Sequence, residues 1–353
     1  MLILPAAELQ NIGTALLDAV GSPHDESAWV AETLVRASMM GHDSHGIVRF
    51  VQYINSVQSG DIKPGAPITV EHETPVTAVI NGHLGWGQVV ARDAMILAIA
   101  KAAKNGIGMV VVQDCPHAGR IGEYATMAAE RQMIGYVAAN SHGSGTAVVP
   151  WGGIDRRFTP NPIAFAAPSG EAWPVLMDIT TSAVPEGKVR MARHRGDTLP
   201  PDCIIDADGN PASDPAVFYG PPPGALLPLG GALGHKGYGL LVMTEILAGI
   251  LSGAGFSGEQ VPTKGNGLCM QATNIAAFTP LDDFIRRVRE MTAYTKSSRR
   301  RPGVEEILFP GEPEYRMAQK RSRNGIPVED SVWAEIRAAA HDLGVTINAG
   351  GRA

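Results

Sequence analysis

The segment Gly41-His42-Asp43-Ser44-His45-Gly46-Ile47-Val48-Arg49-Phe50, with Tyr53 just beyond, gathers two imidazoles, a carboxylate, a hydroxyl, a guanidinium and a phenol within thirteen positions. Such a density of proton-handling groups suits neither a packed core nor a plain solvated face. An imidazole gives or takes a proton near neutrality, and a guanidinium grips a carboxylate through its planar fork. If the chain is helical from Ser44 onward, His45, Arg49 and Tyr53 fall at i, i+4 and i+8 and share one face. That face would set a proton donor beside a carboxylate clamp, with the Ser44 hydroxyl and Tyr53 phenol as further catalytic candidates.

Other stretches carry related groups. His117-Ala118-Gly119-Arg120-Ile121-Gly122-Glu123-Tyr124 joins an expected buried strand to a helix. Glycines there let backbone N–H groups approach an anion at a helix N-terminus, Arg120 adds charge, and His117 stands where a ligand would sit; a structural turn is the competing reading. Met177-Asp178-Ile179-Thr180-Thr181-Ser182 places a carboxylate at the end of an apolar strand, where it either orients an imidazole or caps a helix. Gly234-His235-Lys236-Gly237-Tyr238-Gly239 opens a long apolar helix. Lys236 in its first turn opposes the helix dipole and so hints at a bound phosphate or carboxylate, although close packing also selects glycine. Asn140 ends another strand, and Gly311-Glu312-Pro313-Glu314 starts a late helix. Capping explains both, while Glu312 or Glu314 could instead accept hydrogen bonds from ribose hydroxyls.

The elements that must position these groups follow from periodicity. Leu9, Ile12, Leu16, Leu17 and Val20 are spaced for a helix, and Ser22-Pro23 starts a second one whose buried stripe runs from Trp29 to Met40 before Gly41 stops it. From residue 76 strands and helices alternate: strands at 76–80, 108–112, 136–140, 163–167, 175–178 and 274–278, helices at 89–104, 122–132, 238–251 and 281–291. Residues 189–233 are rich in proline, glycine and aspartate, which predicts a loop excursion over the surface or across a subunit boundary rather than a folded core. Helices over 313–323 and from Asp330 or Ser331 to Gly344 close the chain.

The 353 residues, 44% hydrophobic and 18% charged, describe a globular protein with a large core. With 29 basic against 35 acidic side chains, the net charge of −6 gives no reason to expect nucleic acid, and the short cluster 296–301 (KSSRRR) reads as a solvated loop. Cys115, Cys203 and Cys269 have no disulfide or metal spacing, no apolar run reaches membrane length, and the N-terminus lacks a signal-peptide pattern; a soluble cytoplasmic protein is expected. No G-x-x-x-x-G-K-[ST] occurs, and the one G-x-G-x-x-G, at Gly253–Gly258, follows the helix expected at 238–251 rather than a strand, so any dinucleotide is bound without a Rossmann fingerprint.

In order along the chain, GHDSHG with Arg49, HAGRIGEYA, NPIAF, MDITTS, GHKGYGLLVMTEILAGILSG and GEPE resemble the malate/L-lactate dehydrogenase-like (type 2) oxidoreductases, with the hydroxycarboxylate dehydrogenases as the branch most alike. The resemblance implies an α/β fold of the non-Rossmann NAD(P)-binding type, with a mixed sheet core in residues 75–299 and a helical subdomain built from residues 1–74 and 300–353. It implies a homodimer with the active site near the subunit interface, and NAD or NADP as cofactor with no metal. It makes His45 the acid/base candidate, with His117 as the alternative, Arg49 the substrate carboxylate contact and Asp178 a supporting carboxylate. Cofactor contacts are expected from His45, Gly119, Arg120, Ile121, Asn140, Asp178, Ile179, Thr180, Thr181, Ser182, Ala183, His235, Lys236, Gly311, Glu312, Pro313 and Glu314.

The expected reaction interconverts a 2-oxo acid and a 2-hydroxy acid by hydride transfer from NAD(P)H, a histidine handling the proton and a two-pronged Arg49 fixing the carboxylate. Two alternatives remain. A cyclic imine of the piperideine-2-carboxylate type accepts hydride at a similar site. From another class, a metal-dependent hydrolase or lyase would use His42, His45 and His117, with Asp43 or Asp178 in support.

Overall fold

The computed structural model describes residues 2–143, 145–261 and 263–347. The chain begins with β1 (Leu2–Leu4), α1 (Ala6–Ala19), α2 (His24–Met39) and α3 (Arg49–Gln58). It continues through β2 (Thr69–Glu73), β3 (Thr77–Asn81), α4 (Gly87–Asn105), β4 (Ile107–Cys115), α5 (Gly122–Glu130), β5 (Met133–His142), β6 (Ile163–Ala167) and β7 (Val175–Ile179). Then come α6 (Glu186–Arg195), β8 (Ile204–Ile205), β9 (Pro211–Ala212), α7 (Pro215–Tyr219), β10 (Ala225–Leu226) and α8 (Gly234–Thr244), which runs on as a π-helical segment over Glu245–Ile250. β11 (Gly265–Asn274), α9 (Leu281–Lys296), α10 (Glu312–Asn324), β12 (Ile326–Val328) and α11 (Asp330–Asp342) follow.

Seven strands form one mixed sheet in the order β2-β3-β4-β11-β5-β6-β7, with only β3 and β4 parallel. Alternation along the strands serves two cores. Val110 and Val112 of β4, Val137 and Ala139 of β5, and Leu268 and Met270 of β11 pack with α4 and α5, while Val111, Ala138 and Cys269 face the π segment at Ala248. Strands buried on both faces read as continuous apolar runs, as expected here. β2 belongs to this sheet, so the sheet takes in residues before position 75.

A separate helical core joins the two chain ends. Leu9, Leu16, Val30 and Leu34 pack with Ile336, and β1 pairs antiparallel with β12. α3 lays Phe50, Tyr53 and Ile54 into this core, and burial of an apolar side chain of that size contributes about 1.5–3 kcal/mol. Trp86 and Val89, at the start of α4, lie in the same core, so the seam between helices and sheet passes close to Tyr53.

Three expectations are corrected. The chain is not helical from Ser44: Asp43–His45 is a 3-10 turn, Gly46 breaks it at φ −99° and ψ −145°, and α3 starts only at Arg49. A Cβ on Gly46 would stand 2.0 Å from Ser38 Oγ, whose hydroxyl accepts the Ile47 N–H instead, so a tertiary contact overrides the helical periodicity. Residues 189–233 are no bare excursion. They build a three-stranded sheet, β10-β8-β9, whose Cys203, Ile204, Phe218 and Leu226 pack with Val148, Val189 and Leu241; strands of two residues leave too short a periodic signal to read. The strand expected at 274–278 lies at Gly265–Asn274, where two glycines and little β-branching masked it, and 275–277 is a 3-10 turn.

Candidate active site

The histidine motif is held from several sides. Arg36 on α2 reaches Glu123 on α5 at 3.1 Å, and Arg321 on α10 clasps Asp43 with both terminal nitrogens, Nη2 to Oδ2 at 3.0 Å. His42 faces Glu314 at 3.7 Å. Asp43 and His42 therefore fasten the motif to α10, and neither joins the imidazole of His45.

His45 and His117 stack, ring centroids 5.4 Å apart and planes 25° from parallel. Ser44 Oγ lies 3.0 Å from His45 Nδ1. Tyr53 Oη lies 2.7 Å from His117 Nδ1 and accepts a bond of 2.7 Å from Gln88 Nε2. The phenol therefore occupies Nδ1 of His117 and leaves Nε2 as the ring nitrogen without a protein partner among the described residues. Burial, followed by the charge of Arg49, pushes His45 down to about 3 and His117 well below the ordinary imidazole value, so both rings are neutral at pH 7. Arg49 donates Nε to the Ser44 carbonyl at 2.7 Å and Nη1 to Gln52, and within the described residues Nη2 has no partner. His45, Arg49 and Tyr53 thus converge although His45 is on a different element from the other two. Beside them opens a cleft of about 820 Å³ between α3, α6 and the segment around α11, with Ser44, Arg49 and Arg190 on its wall.

The other expected site residues divide sharply. Asp178 accepts from the Gly122 N–H at 3.0 Å and from Arg120 Nη1 at 3.3 Å, and Arg120 Nη2 donates to Glu123 at 3.0 Å. Asp178 therefore caps α5 and neutralises Arg120 rather than orienting an imidazole. The anion at this helix start is the protein's own carboxylate. Next to it, the backbone N–H groups of Gly119, Arg120 and Ile121 and the buried Arg120 Nε have no partner within the described residues. Unpaired donors this close to His117 fit the polar groups of a nicotinamide cofactor, since a buried N–H without a partner costs about 1–3 kcal/mol.

Asn140 is fully buried and spent: Nδ2 donates to Glu245 at 2.9 Å and to the Gly255 carbonyl at 2.8 Å, and Oδ1 accepts from Gly267 N–H at 3.0 Å. Thr181 is also buried, its hydroxyl bonded to the Pro160 carbonyl at 3.0 Å, while Thr180 and Ser182 bond to each other and Ala183 N–H reaches Leu227. Ile179 packs against the core on the π-segment face, so 179–183 tie the sheet to the small lobe. Glu312 takes Lys296 and Arg316, and Gly311 and Pro313 shape that helix start. His235 and Lys236 are exposed at the start of α8, His235 edge-on to Trp151. Two contributors escaped the sequence reading. Gln88 falls just outside the helix expected at 89–104, whereas α4 starts at Gly87, and Arg190 lies in a stretch taken for a loop.

The three-histidine site of the metal reading does not form. His42 turns to Glu314 while His45 and His117 stack, and among the described residues no three of His, Cys, Asp and Glu are grouped to hold a metal. No helix among the described residues is long and apolar enough to cross a membrane.

Comparison with known proteins agrees with this geometry. The family model described as malate/L-lactate dehydrogenase matches residues 4–337. The chain is 40% identical to a malate dehydrogenase of Pyrococcus abyssi, over 97% of this chain and 95% of the relative. It is 37% identical to an L-sulfolactate dehydrogenase of Methanothermobacter thermautotrophicus, over 98% of each. The solved malate dehydrogenase of Pyrococcus horikoshii superimposes with a TM-score of 0.89 at 37% identity, covering 98% of this chain and 97% of that one. Together with the mixed sheet and the paired histidines, these matches establish that the chain belongs to the malate/L-lactate dehydrogenase family.

Proposed function

We propose that the chain interconverts a 2-oxo acid and the corresponding 2-hydroxy acid with NADH or NADPH, and that His117 handles the proton. The observation that carries this reading is the chain Gln88–Tyr53–His117 standing beside Arg49. The reduced nicotinamide, when bound, supplies the hydride. Tyr53, held by Gln88, anchors the His117 ring through Nδ1 and leaves Nε2 for the substrate, whereas the Ser44 hydroxyl that meets His45 has no second partner among the described residues to hold it. His45 stacks on His117 and limits its motion. Arg49 takes the substrate carboxylate through its unspent Nη2, since Nε and Nη1 already hold the protein.

Burial and Arg49 keep His117 neutral in the free protein. A carboxylate against Arg49 cancels that charge and raises the imidazole's affinity for a proton, so substrate and proton enter together. Asp178 acts at one remove by holding Arg120 and the α5 start. A homodimer forms through α8 and the π segment, whose Leu240, Met243, Ile246 and Ile250 expose an apolar stripe.

The test is loss of reduced-nicotinamide absorbance, with each cofactor, against pyruvate, oxaloacetate, 2-oxoglutarate and piperideine-2-carboxylate. Turnover of the oxo acids is expected. Turnover of the imine alone would move the reading to a cyclic imine reductase.

A further inference from the structure

We infer that Gln88 is a positioning residue for the proton-handling imidazole: its buried terminal amide turns over as His117 gains and loses a proton, which reverses the direction of the Tyr53 hydrogen bond; the inference rests on the hydride-transfer reading and deepens it. Gln88 is the second residue of α4 and is fully buried. Its backbone is fixed. The carbonyl accepts the Trp29 indole N–H at 2.9 Å, and the helix start is pressed onto the histidine loop, where a Cβ on Gly87 would stand 2.5 Å from the His117 carbonyl oxygen. Among the described residues the terminal amide is held only by Tyr53: Nε2 donates to the phenol at 2.7 Å, and the buried Oε1 has no partner. Gly119, at φ +75°, covers the amide without a side chain; a Cβ there would stand 3.3 Å from Nε2.

Tyr53 Oη stands between that amide and His117 Nδ1, 2.7 Å from each, and the residue is 1% exposed. Burial pushes its pKa up, so it remains a phenol with one proton to give to one of two neighbours. While the amide nitrogen faces Oη, that proton serves a bare Nδ1. When substrate neutralises Arg49 and His117 takes a second proton, Nδ1 becomes a donor, and the phenol turns its O–H to the amide. A carboxamide turned over about its last bond presents Oε1 there, and one amide atom stays unpartnered in either orientation, so neither is locked. A carboxylate accepts only, and an alkyl or thioether chain supplies neither state. In reduction the imidazolium then gives its Nε2 proton to the substrate oxygen as hydride reaches C2, and in oxidation Nε2 takes it back, with Nδ1–H bonded to Tyr53 throughout. The other groups around the ring keep their state: Arg49 on α3, the neutral His45 stacked on it, the Cys115 thiol that burial keeps protonated at the end of β4, and Tyr124 of α5, whose hydroxyl donates to the Ala118 carbonyl.

The test measures kcat and KM against pH in both directions for the wild type, Gln88→Met and Gln88→Glu, with the oxo acid of the panel above that turns over fastest and its hydroxy acid. Gln88→Met, which removes the acceptor, should lower kcat by no more than about 10-fold, leave KM nearly unchanged and move the imidazole limb of the kcat profile down by roughly 0.5–1 pH unit. Gln88→Glu, which accepts as a carboxylate, should move the same limb up by a similar amount. Nitrogen-15 NMR of histidine-labelled protein, with His117→Ala assigning the signals, should show Nδ1 of His117 bare in the free wild type and protonated in its complex with reduced nicotinamide and oxamate. Limbs that coincide in all three proteins, shifts of the same sign in both variants, or an Nδ1 signal unchanged on binding would overturn the reversal. Absence of turnover with every 2-oxo acid would instead remove the hydride-transfer reading beneath it, and a melting curve for each variant separates either result from misfolding.

Discussion

Two helix starts in this chain carry the same sequence signature, glycines with a cation ahead of an apolar helix, and the fold uses them oppositely. At α5 the cation, Arg120, is buried between Asp178 and Glu123, and Asp178 caps the helix. At α8 the cation, Lys236, is exposed, and the helix behind it shows solvent an apolar stripe. A glycine-rich helix start thus signals close approach of something, and only the surrounding fold decides whether that is a carboxylate of the same chain or a surface still uncovered.

The contrast can be tested from its largest effect downward. His117→Ala, just before the α5 start, should cut turnover by about 10²–10⁴-fold, as loss of a general acid does, with cofactor binding retained when followed by fluorescence titration. Asp178→Ala should cost roughly 3–5 kcal/mol in denaturant unfolding, because it leaves Arg120 and the Gly122 N–H buried with one partner fewer. Lys236→Ala should stay within about 0.5 kcal/mol. Similar costs for these last two would erase the distinction between the helix starts. If the proposed dimer forms through the α8 stripe, Met243→Asp paired with Ile250→Asp should lower the particle mass to that of a monomer by light scattering, and an unchanged mass would clear the stripe of that role.

The pH dependence follows from the same burial. The folded protein keeps His45 and His117 neutral, while in the unfolded chain they titrate near 6.5, so the unfolded state binds more protons below that value. Stability should therefore be complete above about pH 6.5 and fall as the pH drops toward 3, read as a declining melting temperature. A melting temperature flat across that range would mean that these rings are not held neutral. Tyr53→Phe should lower kcat by about 3–10-fold, the range of one neutral hydrogen bond.

Much of this was legible in the residues. The crowding of proton-handling groups at positions 42–53, the mixed α/β core and the family follow from pattern and resemblance, and the two chain ends meet in one helical core. The route to convergence does not follow from pattern. His45, Arg49 and Tyr53 come together through a 3-10 turn, the break at Gly46 and the ring stack on His117, not along one helix. Asp178 was read as orienting an imidazole or capping a helix, yet its partner, Arg120, lies 58 positions away, and no local period reports such a pairing. Asn140, explained by capping yet included among the expected cofactor contacts, is consumed by Glu245 in the π segment. Arg190 was hidden by the proline and glycine around it, which are common to bare loops and to small lobes with short strands.

Transfer of label tests histidine-assisted reduction of a 2-oxo acid most directly. Reduced nicotinamide carrying deuterium at both C4 positions is incubated with the protein and oxaloacetate, and the product is analysed by mass spectrometry and NMR. Deuterium on C2 of the hydroxy acid is expected, formed at a rate that falls at least about a hundredfold in His117→Ala. Product without deuterium at C2, or wild-type and His117→Ala rates that coincide, would contradict it.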